Sequence, residues 1–335
     1  MQNDVIISSR VRLARNLSDF PFYAEGEDAL RIAKNVSDAV KDLGHYDVHL
    51  MSNLNGNVES YSLMEKHLIS PDLIKNKKSG VAIISEDKTV SIMVNEEDHL
   101  RQQCITQGFS LDEAYRKIDD LDTHLSKKLN FAFHQKLGYL TTCITNLGTG
   151  LRASVMMFLP ALSMTRSLEE VVANVSRLNL TVRGVYGEGS DHEGYIYQIS
   201  NQNTLGISEQ EIIDAVKKAA THIRDAEIAA RNYLMSSAEA DLKDKIMRAY
   251  GTLTNCYKLS NNEFMKLIAL VRLGSYYKIT DISGVDVQKL IEDVQPAGIC
   301  KMKGRSVESD ERDIIRAEYV GRVLSNRKAN ISMGG

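Results

Sequence analysis

Past Gly206 this chain stops alternating. From Ser208 onward its apolar residues recur every three or four positions, as in Ile212, Ile213, Val216, Ala220 and Ile223, and strand-like runs all but disappear. Ahead of Gly206 both periods occur. Residues 27–43 carry Ala29, Ile32, Ala33, Val36, Val40 and Leu43 at helical spacing, whereas 81–85 and 89–94 read as a hairpin turning at Glu86-Asp87-Lys88. One uniform architecture cannot accommodate both textures. The pattern predicts an α+β fold, with a mixed domain over residues 1–235 and a smaller all-α domain over 236–335.

Local signals divide the chain further. Ser110 followed by Glu113 reads as a capping box opening a helix with Ala114, Ile118, Leu121, Leu125 and Leu129 inward. Ser208 with Glu211 and Ser260 with Glu263 announce two more helices, the last burying Phe264, Leu267, Ile268 and Val271. Tyr139–Thr145 reads as a strand, followed by a glycine turn and a helix through Leu162. Val182–Tyr186 and Tyr195–Ser200 suggest a second hairpin, joined by the polar loop Gly187–Gly194.

At 335 residues, 43% of them hydrophobic, the chain can bury a substantial core. Its net charge of −3 gives no general attraction to nucleic acid or membrane. Cys104, Cys143, Cys256 and Cys300 are widely spaced and match no zinc pattern. With no apolar signal segment and no membrane-length apolar run, a soluble, cytoplasmic protein with reduced thiols is expected.

The arginines carry the chemical signal. In Ser8-Ser9-Arg10-Val11-Arg12-Leu13, alternation puts Arg10 and Arg12 on one strand face, with Val11 and Leu13 on the other. Guanidiniums about 7 Å apart suit a polyphosphate, although a solvated strand face would look the same. In TNLGTGLRAS, residues 145–154, Gly148-x-Gly150-x-x-Ala153 fits a dinucleotide fingerprint. The next strand, Leu180–Val182, ends in Arg183 rather than the required acid, so Arg152 reads better as a phosphate ligand near a helix N-terminus. No Walker glycine-lysine loop is present. VRGVYGEGSDHEG, residues 182–194, adds Arg183 and Glu188 in a glycine-rich loop suited to closing over a substrate. VNEEDHLR, residues 94–101, sets three consecutive acids ahead of Arg101. Five arginines (Arg10, Arg12, Arg101, Arg152, Arg183) with Glu97 and Glu188 match phosphoryl transfer from ATP to a cationic acceptor.

SSRVRLAR (8–15), VNEEDHLR, CITNLGTGLRAS (143–154), RGVYGEG (183–189) and YQISN (197–201) together resemble the phosphagen (guanidino) kinase family. The resemblance covers roughly residues 4–235, and it implies a catalytic domain built on an antiparallel sheet flanked by helices. Within the family the chain is similar to the bacterial McsB-type protein-arginine kinases. Kinases of small guanidines carry a helical domain ahead of the SSRVR-like strand, which here begins at residue 8, and RDIIRA (312–317) resembles that branch's regulatory phosphoarginine motif.

The resemblance implies ATP and Mg²⁺, the metal leaning on nucleotide and water, with no protein metal ligand. Nucleotide contacts would come from Ser8, Ser9, Arg10, Val11, Arg12, His67, Arg101, Arg152, Ala153, Ser154, Val155, Met156, Arg183, Gly184, Val185, Tyr186, Gly187 and Glu188. Glu97 and Glu188 would hold and activate the acceptor near Cys143, although Ile144 stands where the family has proline. Arg312 and Arg316, one helical turn apart, would clamp a regulatory phosphoarginine beside Asp313 and Ala317. Implied partners are protein substrates presenting arginine, including a stress-response repressor, an activator protein and a Clp-type protease system, with a homodimer as the assembly.

Three other readings stand beside this one. They are a kinase of free arginine or another small guanidine, a phosphoarginine-binding module without activity, and a dinucleotide-dependent oxidoreductase resting on residues 148–153.

Overall fold

The computed structural model describes residues 4–54, 58–184 and 193–325. The Arg10/Arg12 segment forms its longest strand, β1 (Ile6–Arg15). The strands that follow are β2 (Tyr46–Leu50), β3 (Val81–Ser85), β4 (Val90–Val94) and β5 (Leu100–Gln107). After a two-residue ribbon of β6 (Phe133–His134) and β7 (Gly138–Tyr139) come β8 (Leu151–Phe158), β9 (Leu180–Gly184) and β10 (Ile196–Asn201). Eight of these make one sheet in the order β2-β3-β4-β5-β1-β8-β10-β9, and each described pairing in it is antiparallel.

Alternation explains which way the sheet faces. Val11, Leu13, Leu151, Ala153, Val155 and Ile199 are buried on one side. Three helices cover them: α1 (Gly26–Val40), α4 (Leu111–Ser126) and α7 (Glu209–Ser237). Two short helices, α2 (Val58–Glu65) and α3 (Pro71–Lys75), lie between α1 and α4 in the chain. Each large aliphatic side chain removed from water here contributes about 1.5–3 kcal/mol. The opposite face of the central strands carries the arginines.

Beyond β8 run α5 (Pro160–Met164) and α6 (Leu168–Ser176). After α7 the described residues hold helices and no strand: α8 (Glu239–Asn255), α9 (Asn261–Tyr276), α10 (Val287–Val294), α11 (Pro296–Lys303) and α12 (Ser309–Ser325). Their own core, with Leu253, Phe264, Ile268, Val271, Val294 and Val320, reaches the sheet through Phe158 and Ile196. The expected α+β class is thus what is found, with an antiparallel sheet, flanking helices and a helical C-terminal region.

Two local expectations are corrected. Residues 151–158 form strand β8 rather than a helix, because Leu151, Ala153, Val155 and Met157 alternate with Arg152, Ser154 and Met156. The stretch from Leu140 to Asn146 is a loop ending in a 3-10 turn over Ile144–Asn146, not a strand. Its backbone bonds go elsewhere: Leu140 N donates to Ala132 O at 2.9 Å and Thr142 N to Asp98 Oδ1 at 2.6 Å. The glycines before β8 serve close approach. A Cβ on Gly150 (φ +65°) would lie 2.6 Å from Ala14 O, and one on Gly148 (φ +112°) would lie 2.3 Å from Thr204 O. With no helix following them, the dinucleotide reading loses its structural context.

A third correction concerns Ser110. It makes no side-chain cap on α4; its hydroxyl donates to Gln107 O at 3.2 Å and its backbone N–H donates to Ser9 Oγ at 2.9 Å. The Ser208–Glu211 capping box does form, and Ser260 Oγ accepts from Glu263 N at 3.2 Å.

A buried ion pair ties α7 to α5 and to the start of the described chain. Glu227 on α7 accepts from Ala161 N (3.1 Å) and Leu162 N (2.9 Å) at the start of α5 and from Arg231 Nε (2.8 Å). Arg231 Nη1 continues to Asp4 at 2.9 Å. Glu227→Ala would leave Arg231 short of a partner in a fully buried position and is expected to destabilise the fold by about 3–5 kcal/mol. Urea unfolding followed by circular dichroism measures this directly; a loss under about 1 kcal/mol would show the pair to be dispensable.

Candidate active site

Strand register decides where the arginines meet. Arg12 lies opposite Gln103 on β5 and Arg152 on β8, and Arg101 lies opposite Ala14. Ser154 pairs with Ser200, and Gln198 pairs with Arg183. Cross-strand partners point to the same side of a sheet. Arg10, Arg12, Arg101, Arg152 and Arg183 therefore share the face turned away from α1, α4 and α7. The structure brings all five together on four strands, β1, β5, β8 and β9.

Some of their donors are engaged. Arg10 Nη2 donates to Gln103 Oε1, Arg152 Nη2 to Ser200 Oγ at 3.0 Å, and Arg101 Nη1 to both oxygens of Glu96 at 2.7 and 2.6 Å. Others are not. The Nε groups of Arg10, Arg12 and Arg152 are buried without a hydrogen-bond partner. Burial, followed by the charges of Arg101 and Arg152, depresses Arg10 to about 9, and Glu96 works against this. Arg12 is pushed in the same direction by burial and then by Arg10, Arg101 and Arg152. Arg152 is lowered by burial and by Arg183 and Arg101. A bound polyanion opposes these shifts through its charge and supplies acceptors for the partnerless N–H groups.

A pocket of about 400 Å³ opens beside the cluster, lined by Arg10, Arg12, Arg101, His67, Ile69 and Gln295 among others. His67 has a positive φ of 58° at the end of α2. Burial, then the charge of Arg10, lowers it to about 4, so its imidazole is neutral near pH 7. Of the remaining residues implied for the nucleotide, Ser8, Ser154 and Met156 share the arginine face. The side chains of Ser9, Val11, Ala153 and Val155 point to the helices instead. Gly184 ends β9, and Val185, Tyr186, Gly187 and Glu188 lie outside the described residues.

The three acids after β4 separate in space. Glu96 turns to Arg101; burial acts to raise its carboxyl, and the Arg101 charge and hydrogen bond outweigh this and hold it below the usual range. Asp98 turns inward, accepting from Asn16 Nδ2 (2.8 Å), Thr142 N (2.6 Å) and Asn146 Nδ2 (3.4 Å). Glu97 alone is exposed. Asp98 thus ties the loop holding Cys143 to the turn holding Glu97. Cys143 is a half-buried free thiol 3.0 Å from Thr145 Oγ1, and Ile144 beside it is 81% exposed. Among the described residues no three His, Cys, Asp or Glu side chains gather in a way that could hold a metal ion. No helix among them is long and apolar enough to cross a membrane.

Glu96, Asp98, Gln103 and Ser200 were not singled out from the sequence. Period two would have found Gln103 and Ser200, which share the face of Arg101 and Arg152. The turn residues Glu96 and Asp98 follow no period. In the helical region, Arg312 and Arg316 behave differently from one another. Arg316 is buried, its Nε donating to Val294 O (2.9 Å) and its Nη1 to Leu259 O (2.8 Å) and Asp313 Oδ1 (2.6 Å). Arg312 is half-buried and donates to Val307 O at 3.0 Å. Ala317 packs in the helical core.

The fold has counterparts. The chain matches the ATP:guanido phosphotransferase C-terminal catalytic domain over residues 30–230 and the protein-arginine kinase McsB C-terminal domain over 239–333. Its architecture resembles that of lombricine kinase (TM-score 0.60, 24% identity, 67% of this chain and 66% of that one). It also resembles the duplicated taurocyamine kinase of Schistosoma mansoni with bound transition-state-analogue components (TM-score 0.62, 21% identity, 83% and 47%). The chain belongs to the ATP:guanido phosphotransferases.

Nearer relatives narrow this. The chain is 41% identical to a protein-arginine kinase of Caldanaerobacter subterraneus subsp. tengcongensis, over 97% of this chain and 98% of that protein. It is 43% identical to one of Clostridium kluyveri, over 96% and 95%. Its family is that of the protein-arginine kinases.

Because the cluster lacks anionic partners for three buried Nε groups, inorganic tripolyphosphate is expected to raise the melting temperature. At a hundred times its Kd the stabilisation is about 2.7 kcal/mol. Arg12→Ala should remove most of the shift in a thermal melt; an unchanged shift would place the anion elsewhere.

Proposed function

We propose that the protein transfers the γ-phosphoryl group of ATP to the guanidinium of arginine side chains on other proteins. The observation that carries this reading is the convergence of five arginines, three with buried partnerless Nε groups, beside one exposed carboxylate, Glu97. Arg10, Arg12, Arg101, Arg152 and Arg183 hold the phosphates, and the neutral His67 flanks the nucleotide. Charge spread over the transferred group is stabilised by guanidiniums already in place. Mg²⁺ would arrive with the nucleotide and would supply charge neutralisation of its phosphates without a protein carboxylate cage, as suits a cation reluctant to dehydrate.

A guanidinium is a poor nucleophile because it stays protonated and its lone pairs are delocalised. Glu97 orients one of its nitrogens toward the γ-phosphorus and accepts the proton released as the N–P bond forms. The bond between that phosphorus and the β–γ bridging oxygen breaks, and ADP leaves with the electron pair. Glu188 serves as the second acidic contact, and Cys143 lies at the acceptor end. Asp98 keeps the Cys143 loop and the Glu97 turn in register.

We place the catalytic unit at residues 1–235 and the regulatory unit at 236–335, with Arg312, Asp313, Arg316 and Ala317 forming a phosphoarginine-responsive site. The arginine mark directs proteins, among them a stress-response repressor, to a Clp-type protease in the cytoplasm. The working assembly is a homodimer assisted by an activator protein. The family resemblance supports these assignments.

Mass spectrometry of an arginine-rich protein incubated with the enzyme and Mg-ATP, kept from acid to preserve the P–N bond, is expected to find phosphate on protein arginine and none on added free arginine. Transfer to free arginine alone would overturn the protein-kinase reading. Glu97→Gln should retain ATP binding and lose turnover by about 100-fold or more. Asp98→Ala should lower kcat by about tenfold or more at little changed ATP affinity, given the 1.5–3 kcal/mol typical of a hydrogen bond to a charged group. Turnover near the parent level in either variant would remove that residue from its role.

A further inference from the structure

Helix α2 ends against the helical region. Val58 at its start packs on Ile299, Cys300, Val307 and Ile315, and Glu65 at its end caps α11. A Glu65 carboxylate oxygen accepts from Ala297 N at 2.9 Å, and Gly298 N also donates to this carboxylate. Arg312 and Arg316 act on the same carboxylate through their charge. Two residues further on, His67 O accepts from Gln103 Nε2 at 2.7 Å and Leu68 O does so at 3.0 Å. Gln103 Oε1 accepts in turn from Arg10. Glu65, His67 and Gln295, the residue just ahead of α11, all line the arginine pocket. An unbroken series of hydrogen bonds and short chain segments therefore runs from the start of α11, where Arg312 and Arg316 of α12 also act, to Arg10.

We propose that Glu65 is a positioning residue: by seating α2 on α11 it fixes the His67 segment and Gln295 around the nucleotide, so that the helical region sets ATP affinity. This rests on the reading of the arginine pocket as the ATP site and extends it to control. Arg312 is the half-buried member of the α12 pair, so an anionic effector that engages it competes with Glu65 for that charge and changes the pocket from a distance.

Steady-state kinetics on the full chain with Mg-ATP and a protein acceptor test this. Glu65→Ala is expected to raise the KM for ATP at least about fivefold while kcat stays within about twofold. Glu65→Gln, which keeps one acceptor oxygen, should fall between Glu65→Ala and the parent. Lys66→Ala, whose ammonium lies 4.0 Å from Glu292, should match the parent and excludes a general loosening of α2. An unchanged KM, or a fall in kcat at constant KM, would overturn the proposal. The double variant Glu65→Ala, Arg312→Ala should show a KM no higher than the worse single variant; multiplied effects would show that the two do not communicate. Failure of tripolyphosphate to compete with ATP in the parent chain is a separate result, and would overturn the assignment of the pocket itself.

Discussion

Everything in the catalytic half depends on holding like charges together on a rigid surface. Two guanidiniums about 7 Å apart repel by roughly 2–3 kcal/mol at the effective dielectric of a protein surface. Five of them on four strands of one sheet would push any loose element apart. The sheet resists because its other face is locked by Val11, Leu13, Ala153 and Val155 against α1, α4 and α7. Register is equally binding, since a slip of one residue would turn Arg12 into the core and Val11 into the pocket. Asn201 helps fix it, with its Oδ1 accepting from Ala153 N at 2.9 Å and its Nδ2 donating to Leu151 O at 3.0 Å. The hydrophobic face of the sheet is therefore what makes the basic face possible.

The acids follow the same logic in reverse. Glu96, Glu97 and Asp98 would repel one another if they shared one direction. The turn sends Glu96 to Arg101, Asp98 to Asn16 and Thr142, and leaves Glu97 exposed. Glu96 is thus spent on placing a guanidinium of the cluster, and Asp98 on placing a loop. Of the three, only Glu97 keeps an exposed carboxylate, and its two neighbours set where that carboxylate stands.

What could be read in advance follows from the range of each interaction. Alternation in residues 8–13 is local, so the split of Arg10 and Arg12 from Val11 and Leu13 was legible, as was the Ser208–Glu211 cap. That the five arginines share one face depends on pairing between β1, β5, β8, β10 and β9, distant in sequence; their strand and turn positions beside Glu97 and Glu188 suggested the grouping, and periodicity could not supply the pairing. Residues 151–158 misled because a glycine turn followed by small residues also opens helices. Ser110 misled because a tertiary partner, Ser9, and a local carbonyl engage it before α4 can.

The two arginine motifs show why spacing alone cannot assign a role. Arg10 and Arg12 are two apart on a strand, Arg312 and Arg316 four apart on a helix, and both pairs share a face. On the strand, neighbouring cations and burial leave Nε groups without acceptors, which is a demand for an external anion. On the helix, Arg316 has the carbonyls of Val294 and Leu259 and the carboxylate of Asp313, so its strongest partners are already internal. It therefore binds the ends of α10, α9 and α12 together, and in the proposed regulation the response begins at the less engaged Arg312. From there the route to the nucleotide runs through an internal anion, Glu65, because a carboxylate at a helix start can be shared by arginines on one side and the pocket wall on the other. In that proposed regulation, control of phosphoryl transfer reduces to which anion, internal or external, the arginines are holding.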